Sequence, residues 1–322
     1  MKLSVLTNLY GSLSLDEALS KLEKLGIEYV EIGCGGYPGK AHCDPVMLLS
    51  DEKSLTKWKN TFKKHHIEVC ALAVHGNPVH PDKKIAKAFH DDFCNAVLLA
   101  ERIGIDTVIT FSGCPGGSAE DKTPNWATCP WPDDFLGVLD YQWNEVLIPY
   151  WRETAEFAKS HGVTKIAFEM HPGFCVYNPK TLLRLREAVG DVIGANFDPS
   201  HLIWQGIDPV AAIRALKGAI YHFHAKDTKV DPYNTALNGV LDTAHYGDEL
   251  NRSWIFRTVG YGNGEQYWRD MISNLRLVGY DKVMSIEHED SLMTTDEGLA
   301  KAVAFLNRSV IEAPKPTGMH WA

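Results

Sequence analysis

Eight times along the chain a short β-rich run gives way to a longer stretch with helical spacing, and this alternation constrains the fold more than any other feature. The β-rich runs fall at residues 3–9, 29–33, 68–75, 107–112, 165–171, 193–198, 220–226 and 282–288. Between them Leu15, Ala18, Leu19, Leu22 and Leu25 recur on one face of a 3.6-residue period. So do Ile85, Phe89, Phe93, Val97, Ala100 and Ile103, and later Leu299, Ala302, Val303, Leu306 and Val310. Gly26, Gly104, Gly162 and Gly279 stand just past helical stretches, where a left-handed terminal residue is needed. Repeated strand–helix units require parallel strands joined by helical crossovers. Eight of them in 322 residues predict an α/β chain folded as a closed (β/α)8 TIM barrel. One barrel domain is expected over residues 1–312, with a C-terminal tail at 313–322. No GxGxxG follows the first strand, which argues against a dinucleotide-binding open sheet.

Connections from helix to strand are short, whereas two from strand to helix are long, at residues 113–139 and 228–264. Both are rich in aromatic residues, which argues against disorder. Structureless loops of this length serve function in compact domains, and in a barrel they gather at the C-terminal face where active sites sit. The same aromatics would also suit an oligomer interface, and a homo-oligomer is expected. The net charge of −9, without a basic run, argues against a nucleic-acid partner, whose phosphates demand clustered Lys and Arg. No apolar run reaches the roughly 18 residues that span a bilayer. The N-terminus turns polar at Thr7 and Asn8, too soon for a signal sequence, so a cytoplasmic location is expected. Seven scattered cysteines without a CxxC pair predict neither a thiolate zinc site nor a disulfide framework.

Titratable side chains mark the ends of four successive strands in the second half. The fifth run closes on Glu169-Met170-His171-Pro172, and the sixth on Asn196-Phe197-Asp198-Pro199-Ser200-His201. The seventh closes on His222-Phe223-His224-Ala225-Lys226-Asp227, and the eighth on Glu287-His288-Glu289-Asp290. Each follows an apolar run, so each emerges from the barrel at the catalytic rim. Glu169, Asp198, His224 and Glu287 can therefore surround one point. His224 is preferred over His222 on the same strand face because it lies nearer the rim. Glu287 is preferred over Glu289 because it directly follows the β-rich run. Three carboxylates and an imidazole suit one hard or borderline divalent ion, Mn²⁺ first and then Mg²⁺, Co²⁺ or Zn²⁺. The third and fifth strand ends add His75 and His171 as candidate substrate contacts. Lys226 would orient substrate, and Trp126 and Trp254, from the long loops, would stack on a sugar.

The phrases FEMHP, NFDPSH, HFHAKD and SIEHED, in this order, resemble the sugar phosphate isomerase/epimerase family with the xylose isomerase-like barrel. The resemblance runs from residue 1 to about residue 311. It implies that Glu169, Asp198, His224 and Glu287 bind the metal, that Glu169 and Glu287 also form the acid/base pair, and that His201 contacts substrate oxygens. The chemistry agrees: proton removal beside a carbonyl needs a carboxylate base and an electrophile that stabilises the enediolate. Reprotonation on the opposite face gives an epimer, and reprotonation on the adjacent carbon an aldose–ketose isomer. Departure of a β-substituent makes the enzyme a lyase, releasing the aglycone of a 3-keto-glycoside, an alternative that brings in a small partner subunit. Abasic-site endonucleases of the same superfamily carry extra histidines after the seventh strand. The stretch RTVGYG at 257–262 has none. A non-catalytic barrel subunit would lack one of the four ligand positions, and all four are present. The GYGNG segment at 260–264 reads as a turn rather than a phosphate cradle.

Overall fold

The computed structural model describes residues 1–316 and 318. Its strands are β1 (Lys2–Leu6), β2 (Tyr29–Gly33), β3 (Glu68–Ala73), β4 (Thr107–Thr110), β5 (Lys165–Glu169), β6 (Ile193–Phe197), β7 (Ile220–Ala225), β8 (Asp227–Val230), β9 (Trp254–Arg257) and β10 (Val283–Ile286). Eight of them close in the order β1–β2–β3–β4–β5–β6–β7–β10 and back to β1. Every pairing in the ring is parallel. The expected (β/α)8 barrel is the observed one.

The two-residue period of each strand sorts its side chains. Val30 and Ile32, Ile166 and Phe168, Ala195 and Phe197, Phe223 and Ala225, and Met284 and Ile286 face outward into the core shared with the helices. The alternate positions face the barrel axis. Near the base these are small and apolar, and Ala71, Ile109 and Ala167 form their own cluster. Near the rim they are polar: Glu31, Glu169, Asn196, His222, His224 and Ser285, all buried. Strand register sets Glu169 beside Asn196, Asn196 beside His222, and Ser285 beside His224.

The helices follow from capping and amphipathic spacing. The longest, Lys83–Ile103, starts where the Asp82 carboxylate accepts from Lys84 N at 2.8 Å and Ile85 N at 3.3 Å. It buries Phe93, Val97 and Ala100 and ends at Gly104, whose φ of 78° suits glycine. The other three expected terminal glycines, Gly26, Gly162 and Gly279, have the same left-handed backbone.

Several strands stop short of their β-rich runs, because pairing ends where the chain leaves the ring for a rim loop. β1 ends at Leu6 and passes into a 3₁₀ turn at Thr7–Tyr10. The excursion at 228–264 is not structureless. Its ends pair as the antiparallel hairpin β8–β9, with a short helix, Pro232–Asn238, between them. Asp227 anchors this hairpin: its Oδ2 accepts from the backbone N–H groups of Gly260 (3.0 Å), Gly262 (3.1 Å) and Asn263 (2.9 Å). The amides of the GYGNG segment are thus taken up by a carboxylate of the chain itself, and the segment is a turn, as expected. The loop at 113–139 contains part of a helix, Asp134–Asp140. Of the expected tail, 317 and 319–322 lie outside the described residues. Among the described residues no helix is long and apolar enough to cross a membrane.

Candidate active site

At the rim, one atom each of Glu169, Asp198, His224 and Glu287 lies within 4.8 Å of the others. Glu169 ends β5, Asp198 directly follows β6, His224 is the fifth residue of β7, and Glu287 directly follows β10. His224 Nδ1 stands 3.2 Å from Glu169 Oε2 and 3.1 Å from Glu287 Oε2. The structure brings His224 rather than His222, and Glu287 rather than Glu289, to Glu169 and Asp198. His222 lies deeper in the barrel, and Glu289 turns outward, with its Oε2 3.0 Å from Lys226 Nζ.

Glu31, fully buried in the middle of β2, was not a candidate from the sequence. Its Oε2 lies 2.9 Å from His224 Nε2 and 2.9 Å from His222 Nε2. An ionised carboxylate only accepts, so His224 donates from Nε2 and its Nδ1 is aimed at the four-residue cluster. Burial opposes ionisation of Glu31, but the charges on His224 and His222 outweigh it and hold the carboxyl far below its usual range. Burial likewise works against a charged His224, and Glu31 with Glu287 overcomes it, raising the imidazole well above its ordinary value. A carboxylate in the run YVEIG, between apolar outward-facing residues, was the available signal.

The other carboxylates differ according to their neighbours. Burial disfavours ionisation of Glu169, yet hydrogen bonding with His201, His224 and His75 holds it well below the usual range. His75 Nε2 sits 3.0 Å from Glu169 Oε2, Asn196 Nδ2 donates to the same oxygen at 3.2 Å, and His201 Nε2 lies 3.1 Å from Oε1. Asn196 is a second residue that sequence reasoning missed. For Asp198 burial wins and pushes the carboxyl up to about 7, against the pull of Lys226. Burial opposes ionisation of Glu287 as well, but Lys226 and His224 bring it down to about 2. Burial lowers His201 and His171, so both are neutral bases. His171 commits Nδ1–H to the Pro172 carbonyl at 2.5 Å, which leaves Nε2 as an acceptor.

The cluster is short of positive charge. Four carboxylates, the buried Glu31, Glu169 and Asp198 and the largely buried Glu287, face two cations, Lys226 and the imidazole of His224, and unpaired buried charge is costly. Asp198 Oδ2, His224 Nδ1 and Glu287 Oε2 are buried without a hydrogen-bond partner among the described residues. Lys226 Nζ comes within 3.1 Å of Asp198 Oδ2 and 2.8 Å of Glu287 Oε2, but off the hydrogen-bonding directions. Three orphaned donor atoms from three strands, with Glu169 beside them, fit a divalent cation.

Residues 19–309 match the family model described as "Xylose isomerase-like TIM barrel". The chain belongs to the xylose isomerase-like TIM barrel family. It is 38% identical over 312 residues to the uncharacterized protein YfiH of Bacillus subtilis (strain 168), covering 96% of this chain and 99% of that relative. Among solved structures, the crystal structure of IOLI protein with a binding zinc atom superposes with a TM-score of 0.66 at 21% identity, covering 96% of this chain and 98% of that one. The crystal structure of D-psicose 3-epimerase in the presence of D-fructose gives a TM-score of 0.62 at 14% identity, covering 96% and 99%. At these identities the two structures speak for the fold.

On this xylose isomerase-like barrel, His75, His171, Lys226, Glu169 and Glu287 line one inner chamber of about 140 Å³, and His201 packs directly behind Glu169. Trp126 and Trp254 do not join them. The Trp254 ring is buried and stacked on Trp204 at 4.5 Å, and its Nε1 donates to the Val240 carbonyl. Trp126 Nε1 donates to the Phe174 carbonyl at 3.1 Å, and the ring lines a separate groove. Each indole N–H is engaged by its own chain, and neither ring borders the chamber. The rings that do border the chamber are Tyr37 and Phe111.

Proposed function

We propose that the protein is a divalent-metal-dependent sugar isomerase or epimerase that removes a proton beside a carbonyl. The observation that carries this reading is the convergence of Glu169, Asp198, His224 and Glu287, three of whose donor atoms are buried without hydrogen bonds. The named activity of the D-psicose 3-epimerase sharing the fold supports it. Those four residues would hold the cation, manganese first among manganese, magnesium, cobalt and zinc, which supplies polarisation of the carbonyl and charge stabilisation of the enediolate.

The chain's own groups supply the proton traffic. Glu169 and Glu287 reach the chamber from β5 and β10, which are separated in the ring by β6 and β7, so they flank a bound carbon from different sides. The ionised one takes the proton; its return from the same carboxyl to the neighbouring carbon gives an isomer, and an epimer requires that the opposite glutamate already carry a proton to deliver. His75 and Asn196 fix the Glu169 carboxylate. The Lys226 ammonium, pressed among carboxylates, stabilises negative charge on a substrate oxygen. Neutral His171, which lines the chamber and keeps Nε2 as an acceptor, accepts from a hydroxyl, while His201 braces Glu169 from behind.

Incubation in D₂O with the chosen ion and a panel of ketoses, aldoses and 3-keto-glycosides tests this. Deuterium should enter the carbon next to the carbonyl, only with the ion present, and not in Glu169→Gln. Exchange that continues undiminished in both Glu169→Gln and Glu287→Gln would overturn the reading. Aglycone released from the keto-glycosides would mark elimination through the same enolate.

A further inference from the structure

Beyond the inner chamber lies a second, wider cavity of about 550 Å³. The two are continuous: Tyr37, Phe111, His171 and Glu289 line both. Their chemistry differs sharply. The inner space is walled by the cation-binding carboxylates, Lys226 and imidazoles, and its volume suits one small polar molecule. The outer one falls in the range of about 300–1,000 Å³ that drug-sized ligands occupy, and its walls are mostly aromatic.

The aromatic rings form two banks. In one, Phe111 stacks on Phe174 at 4.3 Å and 21°, and Tyr37 leans on Phe111 at 6.1 Å. In the other, Tyr246 lies parallel to Phe256 at 6.0 Å and 17°. Both banks line the one cavity, a slot bridged by the His171 and His201 rings, with His171 5.0 Å from Phe111, His201 5.2 Å from Phe256 and the two imidazoles 4.0 Å apart. Both banks are braced from behind. Trp126 holds the Phe174 carbonyl, Trp254 packs on Phe256 at 5.3 Å, and the Arg252 guanidinium sits 4.4 Å from the Tyr246 ring. Tyr37 and Tyr246 nevertheless remain 61% and 54% exposed. Braced aromatic faces left open to solvent beside a polar chamber mark a ligand site rather than an unfinished core.

We propose that the substrate is a carbonyl-bearing sugar that carries a planar apolar group, for which simple aryl glycosides serve as binding probes. The polyol occupies the inner chamber, the flat group enters the slot between the aromatic banks, and His171 lies at the junction. This rests on the sugar reading of the inner chamber given above.

Titration calorimetry of the manganese-loaded protein tests it, with matched phenyl and methyl β-glycosides of glucose, galactose and mannose. At least one phenyl member should bind about tenfold or more tightly than its methyl partner, as stacking between two aromatic walls implies. In the double variant Tyr37→Ala/Tyr246→Ala, both exposed positions, that ratio should fall towards one. Equal affinity within every pair, no binding of any phenyl glycoside, or an advantage undiminished in the double variant would overturn the assignment. Proton exchange is not read in this assay. A lost phenyl advantage with intact α-proton exchange therefore refutes the outer site alone, and the converse refutes the reaction alone.

Discussion

Replacing Glu31 with glutamine removes one negative charge with little change of shape, at a residue that touches no substrate. In the wild-type chain its carboxylate accepts from His224 Nε2 at 2.9 Å and fixes which ring nitrogen faces the ligand set. A glutamine amide can donate to that nitrogen instead, which would leave the proton on Nδ1 and spoil it as a ligand. Loss of such an outer hydrogen bond weakens metal binding by about 10- to 100-fold, or about 1.4 to 2.7 kcal/mol. The consequence for stability follows by linkage. At a thousand times the wild-type Kd, a cation stabilises the fold by about 4.1 kcal/mol. In Glu31→Gln at the same concentration that increment falls to between about 2.7 and about 1.4 kcal/mol. Calorimetric titration with Mn²⁺ and denaturation with and without the ion measure both quantities. A purely structural role for Glu31 would instead lower the stability of the metal-free protein and leave the ion-dependent increment intact. A Kd within twofold of wild type would refute the reasoning.

Further outcomes follow from the same geometry. Glu169→Gln and Glu287→Gln should each cut turnover by at least about 10²-fold while the far-ultraviolet circular dichroism spectrum stays unchanged. Cation binding should strengthen as pH rises through about 7, where Asp198 ionises, and go on strengthening above it as His224 gives up its proton. Asp198, raised to about 7 by burial, and His224, held protonated beside Glu31 and Glu287, must both release protons before they can ligate. Titrations in buffers of different ionisation heat should therefore report net proton release. Lys226→Met should bind Mn²⁺ severalfold more tightly, because the ammonium now stands 2.8 Å from Glu287 and 3.1 Å from Asp198, yet it should bind sugar less well. Asp82→Ala, which removes the cap of helix Lys83–Ile103, should cost about 1 kcal/mol in chemical denaturation without changing cation affinity.

Much of this molecule is legible in its sequence, and the reasons lie in particular residues. Eight parallel strands buried on both faces need unbroken apolar runs, and those runs announce the ring. Glu169, Asp198, His224 and Glu287 stand at their ends, where the chain leaves the core, so their convergence follows once the ring closes. Glu31 escaped because it sits mid-strand: its partners, His222 and His224, lie 191 and 193 residues away and meet it only across the barrel axis. Asn196 escaped because amides in buried strands carry no distinguishing period, and only the register beside Glu169 gives it a task. The two tryptophans misled for the opposite reason. An indole in a long rim loop suits sugar stacking, but Trp204, at the end of the short helix Pro199–Trp204 after β6, offered Trp254 a closer partner. The length of 228–264 concealed the hairpin because its pairing begins at Asp227, directly against the seventh barrel strand.

A crystal grown with Mn²⁺ and measured at the manganese absorption edge tests the central claim most directly. One anomalous peak is predicted at the barrel rim, within about 2.0–2.4 Å of carboxylate oxygens from Glu169, Asp198 and Glu287 and of His224 Nδ1. A fully loaded crystal with no peak among those four side chains, or with its only peak elsewhere, would contradict the account.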